Sequence, residues 1–244
     1  MESNVSIPVA LFAAVVLFSA YTVRGIAGFG SGLIAIPLLA LSFPLTLVVP
    51  LVVLLDFVGS AGQGVRNRAL VSWRDLAPLL PFTVLGVLAA LYLMDTLDAV
   101  VLRRSLGVFV LVYALYQLSP LPAVRTTRLS SVPYGALGGL VGTLFGTGGP
   151  FYVIYLSMRG LDKGALRASF ATWFVIDGAL RLGGYAAFGF LSVDTLLKAA
   201  VALPVAVLGL LLGGRIHTNV SQQSFRRVIS ILLLVSGCGL LLKP

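Results

Sequence analysis

Gly142-Thr143-Leu144-Phe145-Gly146-Thr147-Gly148-Gly149-Pro150 interrupts a long apolar run, and its centre, Phe145-Gly146-Thr147-Gly148, resembles Phe29-Gly30-Ser31-Gly32 in the first part of the chain. The earlier motif belongs to Gly25-Ile26-Ala27-Gly28-Phe29-Gly30-Ser31-Gly32, with Pro37 behind it. So many glycines in so short a stretch, with a proline near, cost a helix several kcal/mol relative to alanine. Both stretches therefore predict interruptions, and what surrounds them decides their meaning.

What surrounds them is apolar. Of 244 residues, 59% are hydrophobic and only 10% charged, and the mean hydropathy is +1.05. A soluble domain carries about 25% charged and about 45–50% apolar residues. This composition excludes an ordinary cytosolic enzyme, a disulfide scaffold and a disordered tail. Apolar stretches recur at Ile7–Val23, Leu45–Ala61, Leu76–Met94, Leu106–Leu121, Ala168–Phe190, Leu196–Gly214 and Val228–Leu242. They are read as long enough to cross about 30 Å of hydrocarbon as α-helix. They are apolar all round, without the alternation of a barrel strand. The fold class expected is an all-α polytopic membrane protein.

The net charge of +9 does not point to nucleic acid, because the arginines are scattered through short loops, the way membrane proteins set their orientation. Cys238 is the only cysteine, so no intramolecular disulfide or cysteine-rich metal site is expected. It is expected to serve helix packing. Glu2 and the absence of a cationic region before Ile7 argue against a cleaved signal peptide.

The two glycine motifs are part of a larger repetition. Pro81-Phe82-Thr83-Val84-Leu85-Gly86-Val87-Leu88 aligns with Pro204-Val205-Ala206-Val207-Leu208-Gly209-Leu210-Leu211, and Leu102-Arg103-Arg104 with Phe225-Arg226-Arg227. A short insertion near Asp162–Gly164 reconciles the offsets. Two repeats follow, 1–124 and 125–244, in a single membrane domain. If each glycine motif splits its segment in two, each half has five elements, and an odd number inverts the second half. Arg24, Arg66, Arg68, Arg74, Arg125, Arg128, Arg159, Lys163, Arg167, Arg215, Arg226 and Arg227 then share one face. Glu2, the Asp95–Arg104 loop, Asp194 and Lys243 take the other. The basic face is assigned to the cytoplasm, with both termini outside a plasma (inner) membrane.

Non-helical backbone at membrane depth is tolerated only where protein or a watery cavity surrounds it. Paired interruptions at matching points of two halves point to a transporter's binding site. A helix restarting there presents free N–H groups and the positive end of its dipole, which suit an anion. Pro37 and Pro150 fit first-turn positions. The binding residues expected are Gly28, Phe29, Gly30, Ser31 and Gly32 in the first motif. In the second they are Thr143, Gly146, Thr147, Gly148 and Gly149. The alternative for each motif is close helix packing through small residues.

Charges inside apolar runs cost roughly 2.5–3.5 kcal/mol or more at the bilayer centre. Asp56 lies within Leu45–Ala61; Asp177 and Arg181 lie four apart in Ala168–Phe190, on one helical face. Asp56 or Asp177 is a candidate for proton coupling, and Arg181 or Arg24 for attracting the anion. A neutralised structural pair is the alternative for Asp177 and Arg181, and a topological anchor for Arg24. Trp73 and Trp173 are read as belt or packing residues, Trp173 also as a cavity lining. His217 lies in a basic loop with no ligand partner nearby. No metal-ligand spacing, catalytic constellation or Walker loop is present, so no metal, cofactor or enzymatic activity is expected.

The chain resembles the sulfite exporter TauE/SafE family over nearly its whole length. The resemblance is carried by Gly25–Pro37, Gly142–Pro150, Val71-Ser72-Trp73-Arg74, and Leu166-Arg167-Ala168-Ser169-Phe170-Ala171-Thr172. It continues through Leu208-Gly209-Leu210-Leu211-Leu212-Gly213-Gly214-Arg215, Phe225-Arg226-Arg227 and Leu232–Leu242. Ser31 stands where the family often has a third glycine. The resemblance implies a secondary transporter exporting sulfite or a small organosulfonate, driven by the proton gradient. A passive anion channel on the same scaffold is the alternative. Partners expected are the small anion, the lipid bilayer and protons, with a homo-oligomer left open.

Overall fold

The computed structural model describes residues 6–27, 30–61, 68–118, 127–216 and 222–242. Among these, every regular element is helical. The first half supplies α1 (Ile7–Ala27), α2 (Ser31–Leu39), α3 (Leu45–Ala61), the short α4 (Trp73–Leu76), α5 (Leu79–Thr96) and α6 (Ala99–Leu118). The second supplies α7 (Ser131–Phe145), α8 (Gly149–Ser157), α9 (Lys163–Ala187), α10 (Val193–Arg215) and α11 (Gln222–Leu242).

Four helices are long and apolar enough to cross a membrane: Ile7–Ile26, Leu79–Thr96, Ala99–Leu118 and Val193–Arg215. Seven apolar stretches were expected to be such spans. The apolar part of α3 is shorter, Leu45–Ser60, as is that of α11, Ile229–Leu242. α9 is 25 residues long but carries Lys163, Arg167, Asp177 and Arg181. The third expected stretch, Leu76–Met94, divides: Leu76 ends α4, and α5 begins at Leu79.

The chain forms two compact units, each drawing helices from both halves of the sequence. One comprises Met1–Val48, Asp98–Pro120 and Leu196–Pro244. Within it α1 and α10 pack through small residues: a Cβ on Gly25 would sit 2.5 Å from the Leu210 carbonyl oxygen, and one on Gly209 2.6 Å from that of Phe18. α2 packs on α1, α6 and α11 and is buried along almost its whole length. Its outward helices carry apolar side chains such as Leu11, Val112 and Leu208, all exposed in the isolated chain. Those are surfaces for lipid acyl chains.

The other unit comprises Val49–Leu97 and Leu121–Thr195. α5 and α7 approach backbone to backbone where Gly86 meets Ala136 and Gly139 meets Thr83. α8 lies on α7, with the Tyr152 ring against Gly138. α9 closes the unit, placing Gly184 against Leu91 of α5 and Gly178 against Phe57 of α3. Ser72 N–H donates to Ser169 Oγ (2.9 Å), and Arg159 Nε donates to Asp75 Oδ1 (2.8 Å). Those bonds tie α4 to the start of α9 and the turn after α8. Because the Thr83 backbone stands where a Cβ would go, Gly139→Ala should cost about 1–3 kcal/mol. Thermal unfolding of the detergent-solubilised protein checks this; an unchanged midpoint would contradict the packing.

Two smaller expectations fail. Pro37 sits inside α2 rather than in its first turn, because the helix already starts at Ser31. Cys238 is exposed rather than buried between helices. Trp173 is a core residue, 1% exposed, whereas Trp73 is 54% exposed. His217 lies outside the described residues.

Candidate functional site

The first motif lies in the first unit. α1 carries Arg24 in its last turn, and Gly30, left-handed at φ 99°, is the N-cap from which α2 starts. Glycine supplies this conformation at no steric cost, and it offers no side chain to cap the helix. Gly30 makes no side-chain cap bond to the α2 N-terminus, although Ser31 and Gly32 there are buried. Arg24, itself buried, donates from Nη1 to Ser31 Oγ at 3.4 Å and lies 5.8 Å from the Tyr21 ring centre. A cation at the end of α1 complements the dipole there. Gly28 and Phe29 lie outside the described residues.

The second motif, in the other unit, follows the same plan. α7 ends at Phe145, Gly146 is left-handed at φ 65°, and α8 begins at Gly149 with Gly148 as an N-cap. Pro150 is in the first turn, as expected, and Gly148 makes no side-chain cap bond to the helix. The start of α8 is pressed onto α7, since a Cβ on Gly148 would lie 2.9 Å from Gly142 Cα.

α9 presents a polar stripe to this motif. Ser169, Trp173, Asp177, Arg181 and Tyr185 recur every four residues and are all buried. The last carbonyls of a helix have no partner of their own, and here α9 supplies two. Arg181 Nη1 donates to Gly142 O (3.0 Å), and Tyr185 OH donates to Thr143 O (2.6 Å). The Arg181 guanidinium rests on Gly142, where a Cβ would lie 2.9 Å from its Cζ. Arg181 Nη2 also pairs with Asp177 Oδ2, so the two form the expected ion pair. Tyr152 of α8 donates its hydroxyl to Asp177 Oδ1 at 3.0 Å.

Three donors in this locus are left over. Among the described residues, no hydrogen-bond partner reaches Thr143 Oγ1, Thr147 Oγ1 or Arg181 Nε, all buried atoms. A buried donor without an acceptor costs about 1–3 kcal/mol. Together with an uncapped helix start, three such donors describe a place for a group rich in acceptors.

The structure thus brings Thr143, Gly146, Thr147, Gly148, Gly149, Asp177 and Arg181 to one locus, and Arg24, Gly30, Ser31 and Gly32 to another. Asp56 is half-buried in α3, one residue before Phe57, whose ring meets Gly178 beside Asp177. Sequence reasoning missed Gly142 as a seat for Arg181, and Tyr152 and Tyr185 as partners. For Tyr185 a signal existed: it continues the four-residue spacing from Asp177 and Arg181.

The sequence profile described as "Sulfite exporter TauE/SafE" matches residues 12–240. The chain belongs to the sulfite exporter TauE/SafE family. The family is one of membrane transporters, so this protein is a transporter and not an enzyme. It is 30% identical over 196 residues to a Comamonas testosteroni protein named "Probable inner membrane transporter protein TsaS", covering 78% of this chain and 81% of that one. It is 30% identical over 226 residues to the "Probable sulfite/organosulfonate exporter TauE" of Cupriavidus necator, covering 89% and 88%. No solved structure matches.

Proposed function

We propose that the protein is a secondary transporter that exports a small sulfur-containing anion, sulfite or an organosulfonate, across the inner membrane with its transport coupled to protons. The anion is held at the helix N-termini opened by the two glycine motifs, near the membrane midplane. The observation that carries this reading is the set of buried donors without acceptors, Thr143 Oγ1, Thr147 Oγ1 and Arg181 Nε, beside the uncapped start of α8. A tetrahedral or pyramidal oxyanion offers several acceptors at once and suits such a set. The family description and the name of the Cupriavidus necator relative supply the sulfur chemistry.

The architecture belonging to this reading is two inverted-topology repeats, 1–124 and 125–244, with broken helices at the motifs and both termini outside. It is supported by parallels between the halves. Gly30 and Gly146 are both left-handed, and each leads into a nine-residue helix. Gly86 and Gly209, aligned in the repeat, each meet a helix backbone too closely for a Cβ. The shared face of Arg74, Arg159, Lys163 and Arg167 is supported by the Ser72–Ser169 and Asp75–Arg159 bonds, which gather their three segments.

Flux tests the motifs directly. Gly30→Ala and Gly146→Ala place a Cβ in the left-handed region, at about 1–2 kcal/mol each, and displace the start of α2 or α8. In proteoliposomes holding equal amounts of folded protein, sulfite flux should fall to a small fraction of the unsubstituted rate. Undiminished flux in both variants would remove the motifs from the site. Flux that persists but never accumulates the anion against its gradient would identify a passive channel.

A further inference from the structure

Among the described residues Arg181 has one carboxylate partner, Asp177, and that carboxylate uses only part of what the guanidinium offers. Nη1 is committed to Gly142 O, Nη2 pairs with Asp177, and Nε, on the same edge as Nη2, has no partner among the described residues. A guanidinium edge of Nε and Nη2 takes an oxyanion through two parallel bonds. An anion binding there would fill the vacant Nε and contest Nη2 with Asp177.

Burial turns that contest into an exchange. Asp177 is 1% and Arg181 5% exposed. The pair is neutral as it stands, so an anion added to it leaves one uncompensated negative charge in a low-dielectric site, which is costly. A proton arriving on Asp177 with the anion removes that cost. Arg181 then pairs with the anion, and the locus is neutral with or without cargo. No element packed around Asp177 offers a second cation among the described residues. α8 presents Tyr152, α7 presents Gly142 and Thr143, and α9 adds Tyr185; α3, reaching Gly178 through Phe57, carries Asp56. Tyr152 can donate to the carboxylate or accept from the carboxylic acid, so Asp177 keeps a partner in both states.

We propose that Asp177 and the transported anion take turns as the partner of Arg181, with one proton from water held on Asp177 whenever the anion is bound. Binding is then electroneutral, and the proton leaves with the anion when the Asp177–Arg181 pair re-forms. This rests on the anion site proposed above and names its coupling device.

The test uses purified full-length protein and methanesulfonate, whose charge stays constant through the working pH range. Proton uptake on binding is read in weakly buffered solution, and affinity is read as a function of pH. The expected result is one proton taken up per anion, with affinity falling about tenfold per pH unit once Asp177 is ionised in the free protein. Asp177→Asn should bind without proton uptake and without pH dependence. Since Asn leaves Arg181 without its carboxylate, Tyr152→Phe is the companion variant. It removes a bond that is stronger to the carboxylate than to the carboxylic acid, so binding should hold to higher pH with the same stoichiometry. Binding by the unsubstituted protein without proton uptake, or pH dependence intact in Asp177→Asn, overturns the exchange and leaves the site standing. No binding at any pH overturns the site and the exchange with it.

Discussion

Replacing Asp177 with alanine should remove most of the folded protein, and replacing Asp177 and Arg181 together should restore most of it without restoring transport. The single change leaves Arg181, 5% exposed, without its carboxylate in an apolar interior. Breaking a buried pair in this way costs about 3–5 kcal/mol, a large share of a typical total of about 5–15 kcal/mol. Asp177→Leu with Arg181→Met takes both charges away and keeps comparable volume, which for buried pairs is often neutral or stabilising. Recovery will be incomplete, because Gly142 O loses the Nη1 donor at about 1–3 kcal/mol. The yield of monodisperse protein and its unfolding midpoint report the fold, and sulfite flux reports function. If the double variant transports at the unsubstituted rate, the pair is structural and has no place in the anion's path.

The second large effect separates function from stability. Thr143→Val and Thr147→Val keep the shape of the side chain and delete a buried hydroxyl that has no partner among the described residues. A hydroxyl that only packs is a burden, and its loss should leave the unfolding midpoint unchanged or higher. A hydroxyl that donates to a charged ligand contributes about 1.5–3 kcal/mol, so each variant should weaken anion binding roughly tenfold to a hundredfold. Lower affinity with equal or greater stability is the signature expected. A fall in stability with affinity intact would mean that these hydroxyls serve the fold.

Much of this was legible in the chain, and the failures have physical causes. Composition declared the membrane, and the glycine motifs placed the interruptions, because a left-handed residue without a side-chain cap is written as glycine. The Asp177–Arg181 pair was legible because four-residue spacing on a helix makes neighbours. Pro37 was misplaced because proline is compatible with a first turn but does not require one; Gly30 had already started the helix. Tyr152 and Tyr185 were not legible as partners, since their acceptors lie on other helices, 25 and 42 residues away in the chain. The Asp75–Arg159 bond spans 84 residues and has no local signature. Nor did apolar length separate spans from other helices: α9 has the length of a span but turns a polar stripe inward.

The central claim is that this protein moves a sulfur oxyanion in a manner coupled to protons. Uptake into proteoliposomes of purified protein tests it most directly, with sulfite, sulfoacetate and sulfate offered in turn, with and without a pH gradient. The account predicts saturable flux of sulfite or sulfoacetate that rises with the gradient and accumulates the anion against its own. Flux indifferent to the pH gradient, or none of any of the three, would contradict it.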